Sequence, residues 1–188
     1  MLHFLKERSY DIVKMLLYQI AIALFGISLA FATGPKDGAE GIATLQLATS
    51  ILSILFYLIL IYIMMWELGA RDAGRITRGE AGTSRLTGLY MALLASIPNF
   101  LLAVFITLGL FLADIPFFSN LGAGSAAVAL LAEGMYTGLL ATKVGGVPLN
   151  SMWFMWFLVI LPLIATATVA YYAGTKEFKI FPSSPKKD

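Results

Sequence analysis

Residues Gly41–Trp66 read GIATLQLATSILSILFYLILIYIMMW and carry no charged side chain. Three other uncharged stretches occur along the chain, at Met15–Pro35, Leu86–Ala113 and Val144–Thr175. An α-helix rises ~1.5 Å per residue, so about 20 apolar residues cross the roughly 30 Å hydrocarbon layer of a bilayer. Because all four stretches reach this length, the sequence predicts an all-α integral membrane protein with four transmembrane helices.

The composition agrees with this class. Of the 188 residues, 59% are hydrophobic and 13% are charged, whereas soluble domains carry about 25% charged residues. We therefore predict a single transmembrane helical domain over residues 1–180, followed by a disordered cytoplasmic tail at 181–188. The sequence contains no cysteine, which excludes disulfides and thiolate metal sites, and no cofactor or metal site is predicted.

The apolar stretches and the turn residues between them predict spans near residues 13–33, 45–66, 89–113 and 152–173. Residues 1–12 mix charged and apolar side chains and are expected to form a short interfacial helix. A further helix, near residues 124–143, is rich in alanine and glycine and is interrupted by Glu133. It is expected to lie at the outer surface or to re-enter the bilayer partway, and a full fifth span is the alternative.

The basic residues predict the orientation. Of the 13 lysines and arginines, all but Lys36 and Lys143 fall on one side of a four-span chain. Basic residues are retained on the cytoplasmic side when loops are short. Both termini are therefore expected in the cytoplasm. The chain is expected in the cytoplasmic membrane, where the lipid bilayer surrounds it.

Polar residues and prolines of spans two to four predict a candidate site near the middle of the bilayer. Its five members are Ser53, Ser96, Pro98, Asn99 and Pro162. A proline in a helix frees the carbonyl four residues earlier, and such broken helices form binding sites in transporters. The preferred interpretation is structural, with hydroxyl groups satisfying the freed carbonyls. A ligand or ion path is the alternative.

Glu133 is the candidate site of the outer helix. If that helix re-enters the bilayer, Glu133 becomes the best functional candidate, but we expect a surface helix and a solvated charge. Apart from Lys14 at the start of the first, the four predicted spans contain no acid and no base. Because proton relays bury such groups, this argues against a proton-coupled carrier.

The loop after the second span, Glu67–Gly88, is rich in charge and is a candidate docking surface for a partner protein or for anionic lipid headgroups. The residues that define it are Glu67, Arg71, Asp72, Arg75, Arg78 and Arg85. Where the helix continues past Trp66, Glu67 is expected to pair with Arg71, four residues on. A solvated loop that only sets the orientation is the other interpretation.

Small residues spaced for close helix packing occur in several segments. They comprise Gly26 and Ala30 in the first span, Thr166, Ala170 and Gly174 in the fourth, and Gly134 and Gly138 in the outer helix. We expect them to pack helices within one monomer, and a homo-oligomer interface is the alternative.

The sequence WELGARD at Trp66–Asp72, together with Gly88-Leu89 and Ala95–Phe100, resembles small uncharacterised multi-span membrane proteins of Firmicutes-type bacteria. The resemblance implies a bacterial plasma membrane protein. It carries over no activity and no functional residue.

The sequence limits the possible functions mainly by excluding classes of protein. The single histidine, His3, lies near the amino terminus, so the core has no Ser–His pair and no convergent set of zinc ligands. The scattered basic residues do not form a nucleic-acid footprint. The sequence therefore favours a non-catalytic subunit, scaffold or accessory component of a membrane assembly. The alternatives are a small oligomeric solute or ion permeation unit and, less favoured, a membrane-embedded enzyme.

Overall fold

The computed structural model describes residues 2–33, 41–78 and 86–176. Over these residues the protein is all-α apart from one short hairpin, whose two strands have two residues each. The predicted tail at 181–188 and the docking candidate Arg85 lie outside the described residues.

The helices and strands follow one another with few connections of irregular structure. The helices are α1 Leu2–Thr33, α2 Gly41–Thr77, α3 Thr87–Phe111, α4 Pro116–Ala132, α5 Thr137–Ala141, α6 Met155–Leu158 and α7 Leu161–Thr175. Short 3-10 turns occupy Gly134–Tyr136 and Leu149–Ser151. Strands β1 (Lys143–Val144) and β2 (Val147–Pro148) pair antiparallel, with Val144 opposite Val147.

Four helical segments are long and apolar enough to cross a membrane, which confirms the predicted number of candidate spans. They are Lys6–Thr33, Thr44–Thr77, Thr87–Phe111 and Met155–Thr175, the last combining α6 and α7. Residues 1–12 were expected to form a separate interfacial helix, but from Leu2 onward they are continuous with the first span. The chain is thus suited to a multi-pass membrane protein.

The start of α1 and the end of α7 lie at the same end of the bundle. Arg8 of α1 and Tyr171 of α7 both contact Asp72, near the end of α2. Gly88, in the first turn of α3, packs against Tyr171. We call this the Asp72 end, and the opposite end, which carries β1 and β2, the hairpin end. An even number of crossings brings both helices to one end.

The outer helix is a bent pair rather than a single surface helix. It begins earlier than predicted, at Pro116, and runs from the hairpin end back along α3, where the backbones of Gly109 and Gly122 meet closely. The chain bends by 88° between α4 and the segment Gly134–Ala141. It then returns to β1 at the hairpin end. Because the pair starts and finishes at the same end of the bundle, it does not run the full length of the bundle, and we call it the re-entrant pair.

Small residues hold these elements together inside the monomer. A Cβ on Gly138 would collide with the carbonyl of Gln46, and one on Gly174 would collide with the carbonyl of Trp66. Gly26 and Gly134 likewise make close contacts between α1 and the bend. Such close approach lets helices associate without a hydrophobic driving force. The packing interpretation of these glycines is therefore confirmed.

Candidate functional site

Glu133 lies at the bend between α4 and the 3-10 turn, and its side chain points into the bundle. The residue is only 4% exposed, so the expectation of a solvated charge is wrong. The reason is the 88° bend, which directs the tip of the re-entrant pair toward the other helices. A charge in a mildly apolar segment suggested a surface position only because the bend was not visible in the sequence.

Side chains of α1 and α2 satisfy the backbone groups that the bend leaves free. The Ser50 hydroxyl donates to the carbonyl of Met135 at 2.6 Å and accepts from the Leu139 N–H at 3.2 Å. The Gln19 amide donates to the carbonyl of Ala132 at 3.3 Å. Irregular backbone at membrane depth is tolerated only where protein groups satisfy it in this way. The position of Glu133 is therefore fixed by hydrogen bonds as well as by packing.

A small cavity adjoins Glu133 and gathers side chains from five parts of the chain. Its polar lining consists of Gln19, Tyr57, Asn99, Glu133 and Tyr136, and its apolar lining of Met135, Val159, Ile160 and Leu163. The space in which the centre of a water molecule can lie has a volume of about 10 Å³. That is close to the smallest space that holds one water, so the cavity suits a single small occupant.

Three polar atoms around this cavity are buried without a hydrogen-bond partner. They are the Glu133 Oε2 atom and the hydroxyl oxygens of Tyr57 and Tyr136. An unpartnered buried polar group costs about 1–3 kcal/mol, and a charged one costs more. Native proteins keep few such groups, and each points to a function or to a bound species. Three around one cavity mark it as the candidate site.

The cavity lies near the middle of the candidate spans. Asn99 is 12 residues from each end of α3, since 99 − 87 and 111 − 99 are both 12. At ~1.5 Å per residue, it is about 18 Å from either end. Glu133 is therefore an acid at mid-height of a helical bundle, a position at which ionisable residues are expensive to bury.

Of the five predicted midplane residues, only Asn99 lines the cavity. Ser96 is buried one turn away and its hydroxyl has no partner, whereas the Ser53 hydroxyl donates to the Thr49 carbonyl of its own helix. Pro98 is exposed on the outside of the bundle. Pro162 lies in the first turn of α7, just after the break between α6 and α7 at residues 159–160, so the helix is interrupted beside this proline.

Sequence reasoning missed three members of the site: Gln19, Tyr57 and Tyr136. Gln19 had a signal, since an amide in the uncharged stretch Met15–Pro35 is unusual. The two tyrosines gave no signal in the sequence, because a tyrosine in an apolar segment is as often a core residue as a site residue.

The first half of the predicted docking loop is helical and is not a loop. Helix α2 continues to Thr77, so Glu67–Thr77 are helical, and Arg71 lies 3.7 Å from Asp11 of α1 instead of pairing with Glu67. Asp72 is only 2% exposed and cannot dock a partner. The long α1 supplies these new contacts, and they keep the end of α2 helical.

Four of the predicted docking residues remain wholly or partly accessible at the Asp72 end. Glu67, Arg71 and Arg78 are exposed. Arg75 is partly exposed, and its guanidinium lies 3.2 Å from the carboxylate of Glu7. A headgroup or partner surface is therefore reduced to these four residues among those that the structure describes.

The cavity offers one carboxylate together with neutral amide and phenol oxygens. None of its other lining residues is charged, and in the described ranges no three His, Cys, Asp or Glu side chains converge. Among the lining residues, a bound species would therefore have at most one negative charge to balance. No protein family, curated protein or solved structure matches the chain.

Proposed function

We propose that this protein carries a small monovalent cation, a proton or a metal ion of similar charge, across the membrane, with Glu133 as the residue that binds it. The observation that supports this most is the buried, unpartnered carboxylate oxygen of Glu133 beside two unpartnered tyrosine hydroxyls. A buried carboxylate must be compensated by a proton, a cation or donors. The lining residues supply polar oxygens but no positive charge.

The architecture supports the same proposal. Transporters place their binding sites at mid-height, at the ends of broken helices. Here a break of that kind carries the acid itself, and the fold keeps it there with the hydrogen bonds from Ser50 and Gln19. A purely structural bend could be built with an apolar residue, which would avoid the cost of burying a carboxylate.

We propose further that the Asp72 end faces the cytoplasm of a bacterial cell. This assignment is supported by the positive-inside rule. Six lysines and arginines are described at or near the Asp72 end on α1 and α2, namely Lys6, Arg8, Lys14, Arg71, Arg75 and Arg78. Lys143 lies at the hairpin end.

Flux through reconstituted liposomes tests the role of Glu133. The protein is placed in liposomes that contain a pH-sensitive dye, and separate samples receive radioactive Na⁺, so that proton and metal-ion movement are read independently. Glu133→Gln keeps the size of the side chain but removes the charge, and it should reduce flux by about tenfold or more, the scale of one lost charged interaction. Glu67→Gln, a matched change at an exposed acid of α2, should leave flux unchanged.

Two results would contradict the proposal. One is a wild-type protein that moves neither protons nor Na⁺ faster than empty liposomes do. The other is flux that survives Glu133→Gln undiminished.

The second candidate is the non-catalytic subunit of a membrane assembly that the sequence favours. Gly124 on α4 has no atom near the position of its missing Cβ, and Ala123 and Ala127 beside it are exposed. A partner helix could approach closely there. Stoichiometry in mild detergent tests this: a second protein that co-purifies, and is lost on Gly124→Leu, supports the subunit role, whereas a particle of this chain alone argues against it.

A further inference from the structure

A second buried polar cluster lies at the Asp72 end, far from Glu133. One carboxylate oxygen of Asp72 accepts from the Arg8 guanidinium at 2.6 Å and from the Tyr171 hydroxyl at 2.8 Å. Tyr171 also shares a side-chain hydrogen bond with Thr87. The cluster therefore joins α1, α2, α3 and α7, and we call Arg8, Asp72 and Tyr171 the lock.

The lock and the cavity are on the same buried face of α2. Tyr57 lines the cavity, and Asp72 follows 72 − 57 = 15 residues later, which is about 22 Å along the helix. The buried side chains of α2 between them are all apolar: Ile61, Met64, Met65 and Leu68.

Two of the other three helices repeat this apolar order. On α1, Met15 separates Arg8 from Gln19. On α3, Met91, Ala92 and Ala95 lie between Thr87 and Asn99, but the polar Ser96 is buried there as well, one turn from Asn99. On α7, Ala167 and Ala170 separate Leu163 from Tyr171. A single layer therefore closes the space between the cavity and the lock. We call it the methionine layer, after Met15, Met64, Met65 and Met91.

The two sides of the cavity are filled differently. Toward the hairpin end the re-entrant pair packs its backbone against α1 and α2, as at Gly26 and Gly138. Toward the Asp72 end, the described residues that lie between the cavity and the lock are side chains of the long helices, and the backbones of α2 and α7 approach closely at Gly69 and Gly174. Methionine side chains are flexible and can re-pack, and apolar constrictions open and close by admitting or excluding water. Once the helix ends at the Asp72 end part, opening toward that end therefore needs only that these side chains re-pack.

We propose that Arg8, Asp72 and Tyr171 form a gate that holds the methionine layer shut and so controls access to Glu133 from the Asp72 end. The inference rests on the proposed function. The three residues act as positioning residues, because they keep the ends of α1, α2 and α7 together and bind no ion themselves. When the lock parts, these helix ends can separate, and water and a cation can reach the cavity.

Cysteine labelling tests the gate, since the chain has no cysteine of its own. Ala92→Cys places a thiol in the methionine layer, and Ala103→Cys places one on the same helix at the hairpin side of Asn99. Both positions are buried. In lipid nanodiscs a charged, water-soluble thiol reagent reaches both ends of the protein, so no assumption about orientation enters.

Asp72→Asn should raise the labelling rate of Ala92→Cys about tenfold, which corresponds to about 1.4 kcal/mol between closed and open states. The rate at Ala103→Cys should not change. Tyr171→Phe removes only a hydroxyl and tests the same lock where Asp72→Asn does not fold. Exchanging the charges, with Arg8→Asp and Asp72→Arg together, should restore slow labelling.

An unchanged rate at Ala92→Cys in both lock variants overturns the gate. Equal increases at Ala92→Cys and Ala103→Cys also overturn it, because they show general loosening of the bundle. The labelling does not depend on ion flux. Flux that requires Glu133 without a labelling response at Ala92→Cys therefore defeats the gate alone, and a labelling response without Glu133-dependent flux defeats the proposed function alone.

Discussion

Gly26 is the position where the packing of the re-entrant bend can be tested most directly. A Cβ at residue 26 would lie 2.5 Å from the Met135 Cα and 2.7 Å from the Met135 nitrogen, whereas ordinary contact begins at 3.4 Å. In Gly26→Ala, α1 and the bend must therefore separate by about 3.4 − 2.5 = 0.9 Å. The opposing atoms belong to the backbone, so no side-chain rotation can relieve the collision.

The cost of this change follows from two opposing effects. Overpacking in a closely packed interior costs about 1–3 kcal/mol. Alanine in place of glycine inside a helix returns up to about 1 kcal/mol. The middle of the overpacking range, about 2 kcal/mol, less this return of about 0–1 kcal/mol, gives a net loss for Gly26→Ala of about 1–2 kcal/mol. For a chain of this size, each kcal/mol lowers Tm by about 2–4 °C, so we expect a decrease of about 2–8 °C.

The matched control is Gly124→Ala, also in the interior of a helix, where nothing lies within 4 Å of the added Cβ. There only the helix propensity changes, so Tm should stay the same or rise. The assay is the temperature at which half of the protein leaves the monodisperse peak in mild detergent. A Gly26→Ala variant at least as stable as the parent chain would refute the close contact between α1 and the bend, and equal decreases in both variants would do the same.

Two further predictions concern the support of the bend and the orientation. Ser50→Ala removes the hydroxyl that bonds both Met135 and Leu139, so it should lower stability by about 1–3 kcal/mol in the same thermal assay. The control Ser28→Ala loses only a hydrogen bond within its own exposed helix turn and should lower stability less. Equal losses in the two variants would show that the hydrogen bonds of Ser50 do not support the bend. Thr77 and Lys143 are exposed at opposite ends of the bundle. In intact cells an impermeant thiol reagent should label Lys143→Cys and should not label Thr77→Cys. The reverse labelling pattern would contradict the proposed orientation.

The number of candidate spans was predictable from the sequence because bilayer thickness imposes a length that each apolar stretch either reaches or does not. That test is local: it needs only consecutive residues such as Gly41–Trp66. The same holds for the tight packing of Gly26 and Gly174, since small residues are what helices need when lipid supplies no hydrophobic force between them.

The site itself depended on contacts between distant parts of the chain. Glu133 looked like a surface charge because hydropathy cannot show an 88° bend, nor the rotation that turns one side chain inward. Gln19, Tyr57 and Asn99 come together only when three helices adopt their mutual orientation. These features arise from packing across long sequence separations, where a small rotation of one helix decides which side chains meet.

The lock illustrates the same division. Arg8 and Asp72 are 64 residues apart, and their charges alone predicted only that both belong on one side of the membrane. That they are buried against each other was decided by the length of α1 and by the continuation of α2 to Thr77. How often the chain can cross a bilayer follows from the order of its amino acids, because that number depends on the composition of consecutive residues. Which charges are buried was decided by tertiary structure, because burial depends on what each residue meets in space.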